Sequence, residues 1–134
     1  LLILAREIGY ELELSDINVE SIISIPDKSK GNIELFIERL ANRDKIMRDR
    51  LVKAKANKKA LRYIGTIKDG EANISLDEVD SNHPFYKIDH TENIFSFQTN
   101  RYFDQPLVVK GYGAGSVVTA AGIIADIRSI VKVG

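Results

Sequence analysis

The sequence contains no cysteine, which removes disulfides, thiolate nucleophiles and cysteine-ligated zinc at one stroke. Only two histidines are present, His83 and His90. Neither has a serine or aspartate at an informative spacing, so both read as surface residues rather than bases or ligands. Charge of one sign is also missing. Nineteen Lys and Arg balance nineteen Asp and Glu, and there is no global pull toward nucleic acid or an anionic membrane. No apolar run approaches the roughly 18 residues that span a bilayer, and Arg6 and Glu7 interrupt the opening apolar stretch before it resembles a secretory signal. The expectation is a soluble, cytosolic protein with neither nucleic acid nor membrane as partner. Methionine occurs once, as Met47, and the chain opens on Leu1-Leu2-Ile3-Leu4-Ala5, which reads as a helix interior without a cap. That opening points to a piece of a longer polypeptide.

What is there is a chain of 134 residues, 44% of them apolar, enough for one domain or part of one with a real core. No internal repeat or low-complexity tract is visible. Residues 1–8 predict a helix stopped by Gly9. The alternation Glu11-Leu12-Glu13-Leu14 predicts a short strand, and from residue 16 to 30 the pattern decays into a loop marked by Pro26, Asp27, Ser29 and Gly31. Asn32 then offers an N-cap. Ile33, Phe36, Leu40, Met47, Leu51 and Ala54 follow at mostly three-to-four spacing. They predict two helices broken at Asn42, or one kinked helix, ending near Asn57, with Phe36 and Met47 in the core.

Beyond residue 60 the period becomes two. Residues 61–68 and 72–79 predict strands joined through Asp69-Gly70, a strong hairpin signal. Asn82-His83-Pro84 predicts a turn, residues 94–97 and 106–110 two further strands, and residues 116–131 an apolar helix. Helices, hairpin-connected strands and a closing helix predict an α+β fold, an antiparallel or mixed sheet with helices packed on one face.

The most specific local feature is Gly111-Tyr112-Gly113-Ala114-Gly115 between the last strand and the last helix. Glycines there let backbone approach a ligand closely, and the helix start presents N–H groups and positive dipole to an anion. The same run also serves as an ordinary tight turn, and the motif alone does not decide. A free-standing dinucleotide fold needs another strand after such a helix, ending in an acidic residue about 20 positions on. Gly134 leaves no room for it, so a dinucleotide here requires a main domain elsewhere.

Two other features are weaker. Arg43, Lys45, Arg48, Arg50, Lys53, Lys55, Lys58, Lys59 and Arg62 are opposed locally only by Asp44 and Asp49, and such a helix can track phosphates. Interleaved aromatics are missing and the first 27 residues carry compensating acid, which favours a solvated face over nucleic-acid binding through 43–62. The stretch Glu78-Val79-Asp80-Ser81-Asn82 has alternate oxygens like a calcium loop. Its sharp-turn glycine is replaced by His83, followed by Pro84, and no helix flanks it, so it is rejected.

Four stretches together resemble the homoserine dehydrogenase family. Leu1 through Tyr10 resembles the helix that follows the family's Asp-Val-Ala-Arg-Lys motif, and Leu61-Arg62-Tyr63-Ile64-Gly65 resembles the first strand of its C-terminal hairpin. His83-Pro84-Phe85 with Glu92-Asn93-Ile94, and then residues 106–125 with the glycine run and Thr119-Ala120-Ala121-Gly122, are similar to its later segments. Tyr112, where monofunctional members commonly carry Pro, and the acidic residues between Glu11 and Asp16 lean toward the bifunctional type fused to aspartokinase.

The resemblance implies an oxidoreductase of threonine, methionine and isoleucine biosynthesis that interconverts homoserine and aspartate 4-semialdehyde with NADP or NAD. It implies that residues 1–134 are the C-terminal portion of the catalytic, substrate and dimerisation domain, with 111–134 reaching the cofactor site. The family's catalytic Lys and Asp and its N-terminal Rossmann domain have no counterpart here, so no catalytic residue carries over and the chain alone is expected to be inactive. Cofactor contact carries over to Gly115, Gly113, Ala114 and Thr119, metal binding to no residue, and a homodimer through the sheet is implied. The rival expectation is a non-catalytic oligomerisation module.

Overall fold

The computed structural model describes residues 1–23, 31–41, 43–89 and 91–132. They form α1 (Leu2–Glu7), a 3-10 turn (Leu14–Asp16), β1 (Ile17–Val19), α2 (Ile33–Ala41), α3 (Asp44–Ala56), β2 (Ala60–Lys68), β3 (Glu71–Val79), β4 (Glu92–Phe97), β5 (Leu107–Tyr112) and α4 (Ser116–Lys132). The chain divides into two compact units, Leu1–Ser81 and Asn82–Gly134.

In the first unit α1 stops at Gly9, which takes φ +95°. The N–H groups of Gly9 and Tyr10 donate to the carbonyls of Arg6 and Ala5, each at 3.0 Å, the paired reverse bonds that end a helix on a left-handed glycine. The strand expected at Glu11–Leu14 does not form. Asp16 Oδ2 accepts the Glu13 N–H at 2.8 Å, and this local side-chain bond holds a 3-10 turn in place of extended backbone. Leu14 is 74% exposed, so the alternation buries nothing. The strand comes later, as β1, inside the stretch expected to be loop.

Asn32 caps α2 as expected, its Oδ1 accepting the Leu35 N–H at 2.9 Å. Two separate helices follow; the expected break at Asn42, and Pro26, Asp27 and Ser29 of the expected loop, lie outside the described residues. The hairpin also forms as expected. β2 and β3 pair antiparallel from Ala60↔Val79 to Lys68↔Glu71, and Asp69 and Gly70 turn at φ +52° and +84°, the double positive φ of a two-residue hairpin loop. β3 is the centre of a three-stranded mixed sheet ordered β1-β3-β2, with β1 parallel to it.

Among the described residues the buried hydrophobic ones are Ala5, Ala54, Ile64, Ala72 and Val79, and α3 lies against β2. The expectation of a core at Phe36 and Met47 is corrected: Phe36 is 37% exposed and Met47 only half-buried. Mostly small residues occupy the closest contacts, which leaves the larger side chains of α2 and α3 at the margin.

A polar junction ties this unit together. The Glu20 N–H extends the parallel ladder to the Ile74 carbonyl at 2.8 Å. Its carboxylate accepts Arg50 Nη1 at 3.0 Å and the Leu76 N–H at 3.2 Å. Arg50 Nη2 donates to the Leu76 carbonyl at 2.8 Å, and the Tyr63 hydroxyl to the Glu20 carbonyl at 3.0 Å. β1, β2, β3 and α3 thus meet at one residue, Glu20, its carboxylate joining α3 to β3 and its backbone joining β2 and β3.

In the second unit β4 and β5 form a separate two-stranded antiparallel sheet, followed by α4. None of the described residues from 82 to 131 is buried. The class is α+β, with the strands split between two sheets. Among the described residues no helix is long and apolar enough to cross a membrane.

Candidate functional site: the glycine turn ahead of the last helix

β5 leads directly into Gly113-Ala114-Gly115, and α4 begins at Ser116. The four residues expected at the site are therefore brought together by chain adjacency: three in the turn, and Thr119 in the first turn of α4. The Thr119 N–H donates to the Gly115 carbonyl at 3.0 Å, the first hydrogen bond of that helix. The N–H groups of Ser116, Val117 and Val118 have no partner within the helix by construction of the first turn. No acidic residue stands in that turn, so its positive dipole end is not neutralised locally.

The glycines differ in what they permit. Gly115 has φ +121° with open space where a side chain would begin, so its backbone is accessible from outside. At Gly113 a Cβ would overlap the Asn93 side-chain amide, and the backbone lies flush against that residue. An anionic or electron-rich group can approach Gly115 and the helix start closely. Among the described residues, chain neighbours apart, no atom lies within 4 Å of where a Gly115 Cβ would stand.

The turn is gripped from the start of β4. Beyond the last ladder pair, Glu92↔Tyr112, the Gly113 N–H donates to the Thr91 carbonyl at 3.2 Å, and Thr91 Oγ1 donates to the Ala114 carbonyl at 3.4 Å. Next to them Glu92 Oε2 accepts Lys110 Nζ at 2.8 Å and the Asp89 N–H at 2.8 Å, while Lys110 Nζ also donates to the Lys87 carbonyl at 3.3 Å. The hydrogen bond to Glu92 raises the Lys110 ammonium above the ordinary lysine value. Thr91, Asn93, Glu92 and Lys110 were assigned no role from sequence. The Glu92-Asn93-Ile94 stretch stood out only as a family likeness, and nothing in its residue types announces the grip.

The remaining candidates fall elsewhere. His83 Nδ1 accepts the Phe85 N–H at 3.1 Å within the expected turn, closed by the Tyr86 N–H on the His83 carbonyl at 2.9 Å; His90 lies outside the described residues. Within the basic stretch Arg50 is committed to Glu20 and Lys59 stands 3.7 Å from Glu78.

The homoserine dehydrogenase family model matches residues 1–128. The bifunctional aspartokinase/homoserine dehydrogenase of Haemophilus influenzae is 46% identical over 127 residues, covering 95% of this chain and 16% of the relative. The homoserine dehydrogenase of Schizosaccharomyces pombe is 37% identical over 133 residues, 97% of this chain and 35% of its own length. A crystal structure of a Candida auris protein described as of unknown function superposes with TM-score 0.80 at 34% identity, over 97% of this chain and 37% of that one. The chain thus spans well under half of these relatives. Matched from its first residue through most of α4, it belongs to the homoserine dehydrogenase family.

Proposed function

We propose that this chain is the C-terminal part of a longer homoserine dehydrogenase, of the type fused to aspartokinase, and that its glycine turn completes the nicotinamide cofactor site. The observation that carries the reading is Gly115: left-handed, open to approach, and at the head of a helix with no acidic residue in its first turn. In the whole enzyme NADP or NAD would exchange hydride with the substrate carbon as homoserine and aspartate 4-semialdehyde interconvert, the hydroxyl proton passing to a base. None of the residues assigned to the turn, Gly113, Ala114, Gly115 and Thr119, is such a base. The chain's own contribution is positional: backbone of Gly113, Ala114 and Gly115 and the first N–H groups of α4 bind and orient, with the Thr119 hydroxyl one turn in. Predominance of bifunctional relatives supports the fused type.

The same reading includes a homodimer through the sheet. β2 is nine residues long and has β3 as its one hydrogen-bonded neighbour among the described residues, and an edge of that length tends to acquire a partner. Sedimentation of the full-length enzyme at micromolar concentration is expected to give at least twice the monomer mass.

Two assays test the catalytic part. The isolated 134-residue chain is expected to show no reduction of aspartate 4-semialdehyde by NADPH, and turnover from it alone would overturn the reading. In the full-length enzyme Gly115→Val is expected to raise the KM for the nucleotide and lower kcat. Unchanged nucleotide kinetics would reduce the glycine run to a tight turn.

A further inference from the structure

A turn built from Gly113, Ala114 and Gly115 has little of its own to fix its shape. Two glycines in three residues leave the backbone unusually free, and no side chain of the turn is large enough to pack. Yet a cofactor contact made by backbone works only if that backbone is held in one conformation. Among the described residues two hydrogen bonds tie it to the start of β4, and both involve Thr91: its carbonyl accepts the Gly113 N–H at 3.2 Å and its hydroxyl donates to the Ala114 carbonyl at 3.4 Å. On the other side Asn93 lies where a Gly113 side chain would be, which sets how near the turn can come to β4.

We infer that Thr91 is a positioning residue for the nicotinamide cofactor, acting through the glycine turn rather than by touching the ligand. The inference rests on the reading of that turn as a cofactor contact. Thr91 is exposed, so removing its hydroxyl leaves the Ala114 carbonyl to water and does not bury an unsatisfied group. Folding is therefore little affected, while the turn samples more conformations and the fraction competent to bind falls. Apparent affinity falls by that same fraction.

The test is made in the full-length enzyme with Thr91→Val, Thr91→Ser and Gly115→Val. Thr91→Val keeps the volume and removes the hydroxyl. It is expected to raise both the KM for the reduced nucleotide and its Kd from fluorescence titration by about 3–10-fold, the effect of one modest hydrogen bond, with the KM for aspartate 4-semialdehyde within about twofold. Thr91→Ser keeps the hydroxyl and is expected to restore nucleotide affinity. Without nucleotide, hydrogen exchange at the Gly113 amide is expected to quicken in Thr91→Val and not in Thr91→Ser. If Gly115→Val weakens nucleotide binding and Thr91→Val does not, Thr91 has no positioning role and the turn remains the cofactor contact. If neither does, both readings fall. A defect shared equally by Thr91→Ser, or one in Thr91→Val without any in Gly115→Val, also overturns the inference, because the effect then does not run through the hydroxyl and the turn. Should Thr91→Val not fold, Thr91→Ala replaces it with the same expectations.

Discussion

Two residues show how single side chains set measurable behaviour. The Glu20 carboxylate is held below the ordinary glutamate range by its hydrogen bond from Arg50 and then by the Leu76 N–H. A folded-state value below the unfolded one means the contribution is complete above the unfolded value and is lost as pH falls through the folded one. Thermal midpoints recorded from neutral pH into acid are expected to fall less steeply for Glu20→Gln than for wild type; identical slopes would show that Glu20 is not linked to folding. At Gly115 the conformation and the space separate. Its φ of +121° strains any side chain, by about 1–3 kcal/mol, while a Cβ there meets nothing within 4 Å beyond its chain neighbours. Both Gly115→Ala and Gly115→Val should lose stability, the β-branched Val somewhat more, while the KM for nucleotide rises well beyond the Ala value in Val. That size dependence would come from the ligand.

At the scale of elements, what the sequence announced was what local chemistry decides. Asp69-Gly70 between alternating runs gave the hairpin, Gly9 the stop of α1, and Asn32 the start of α2. Gly70→Ala, at φ +84°, is expected to cost about 1–2 kcal/mol, read as a thermal midpoint lower by several degrees; Asp69→Asn, which tolerates the left-handed region, should stay within about 0.5 kcal/mol. β1 stayed hidden because its three residues are a strand only by virtue of a parallel partner far along the chain. The alternation at Glu11–Leu14 misled because a side-chain bond from Asp16 won locally. The core was misplaced from Ala54's larger neighbours for a similar reason: helical spacing identifies a face, and only the packing of α3 on β2 says which residue on it is covered. For the site, the turn was legible in its glycines, and Thr91 was not, since a common hydroxyl gains its meaning from what the fold places beside it.

For the whole molecule, the contrast between the units is the main fact. Among the described residues, all the buried hydrophobic ones lie in Leu1–Ser81. Asn82–Gly134 has a two-stranded ribbon, which is marginal by itself, and a helix whose Val117, Ile130 and Val131 are 80%, 75% and 73% exposed. In the isolated chain, hydrogen exchange is expected to be slowest in β2 and β3 and fast throughout β4, β5 and α4. In the full-length enzyme α4 is expected to become protected, because apolar surface of that extent finds cover. Equal protection of α4 in both would mean that this helix is stable without further contacts.

The parallel docking of β1 on β3 also bears on the order in which the chain assembles. The β2–β3 ribbon closes across two residues and can zip on the microsecond scale of hairpins. β1 reaches β3 only after α2, α3 and β2 have intervened, so its arrival bears the entropy of a long loop and belongs on the native side of the rate-limiting barrier. Truncating Ile17 to Ala should then accelerate unfolding in a denaturant-jump experiment and leave the refolding rate nearly untouched, whereas Ile64→Ala in the ribbon should slow refolding.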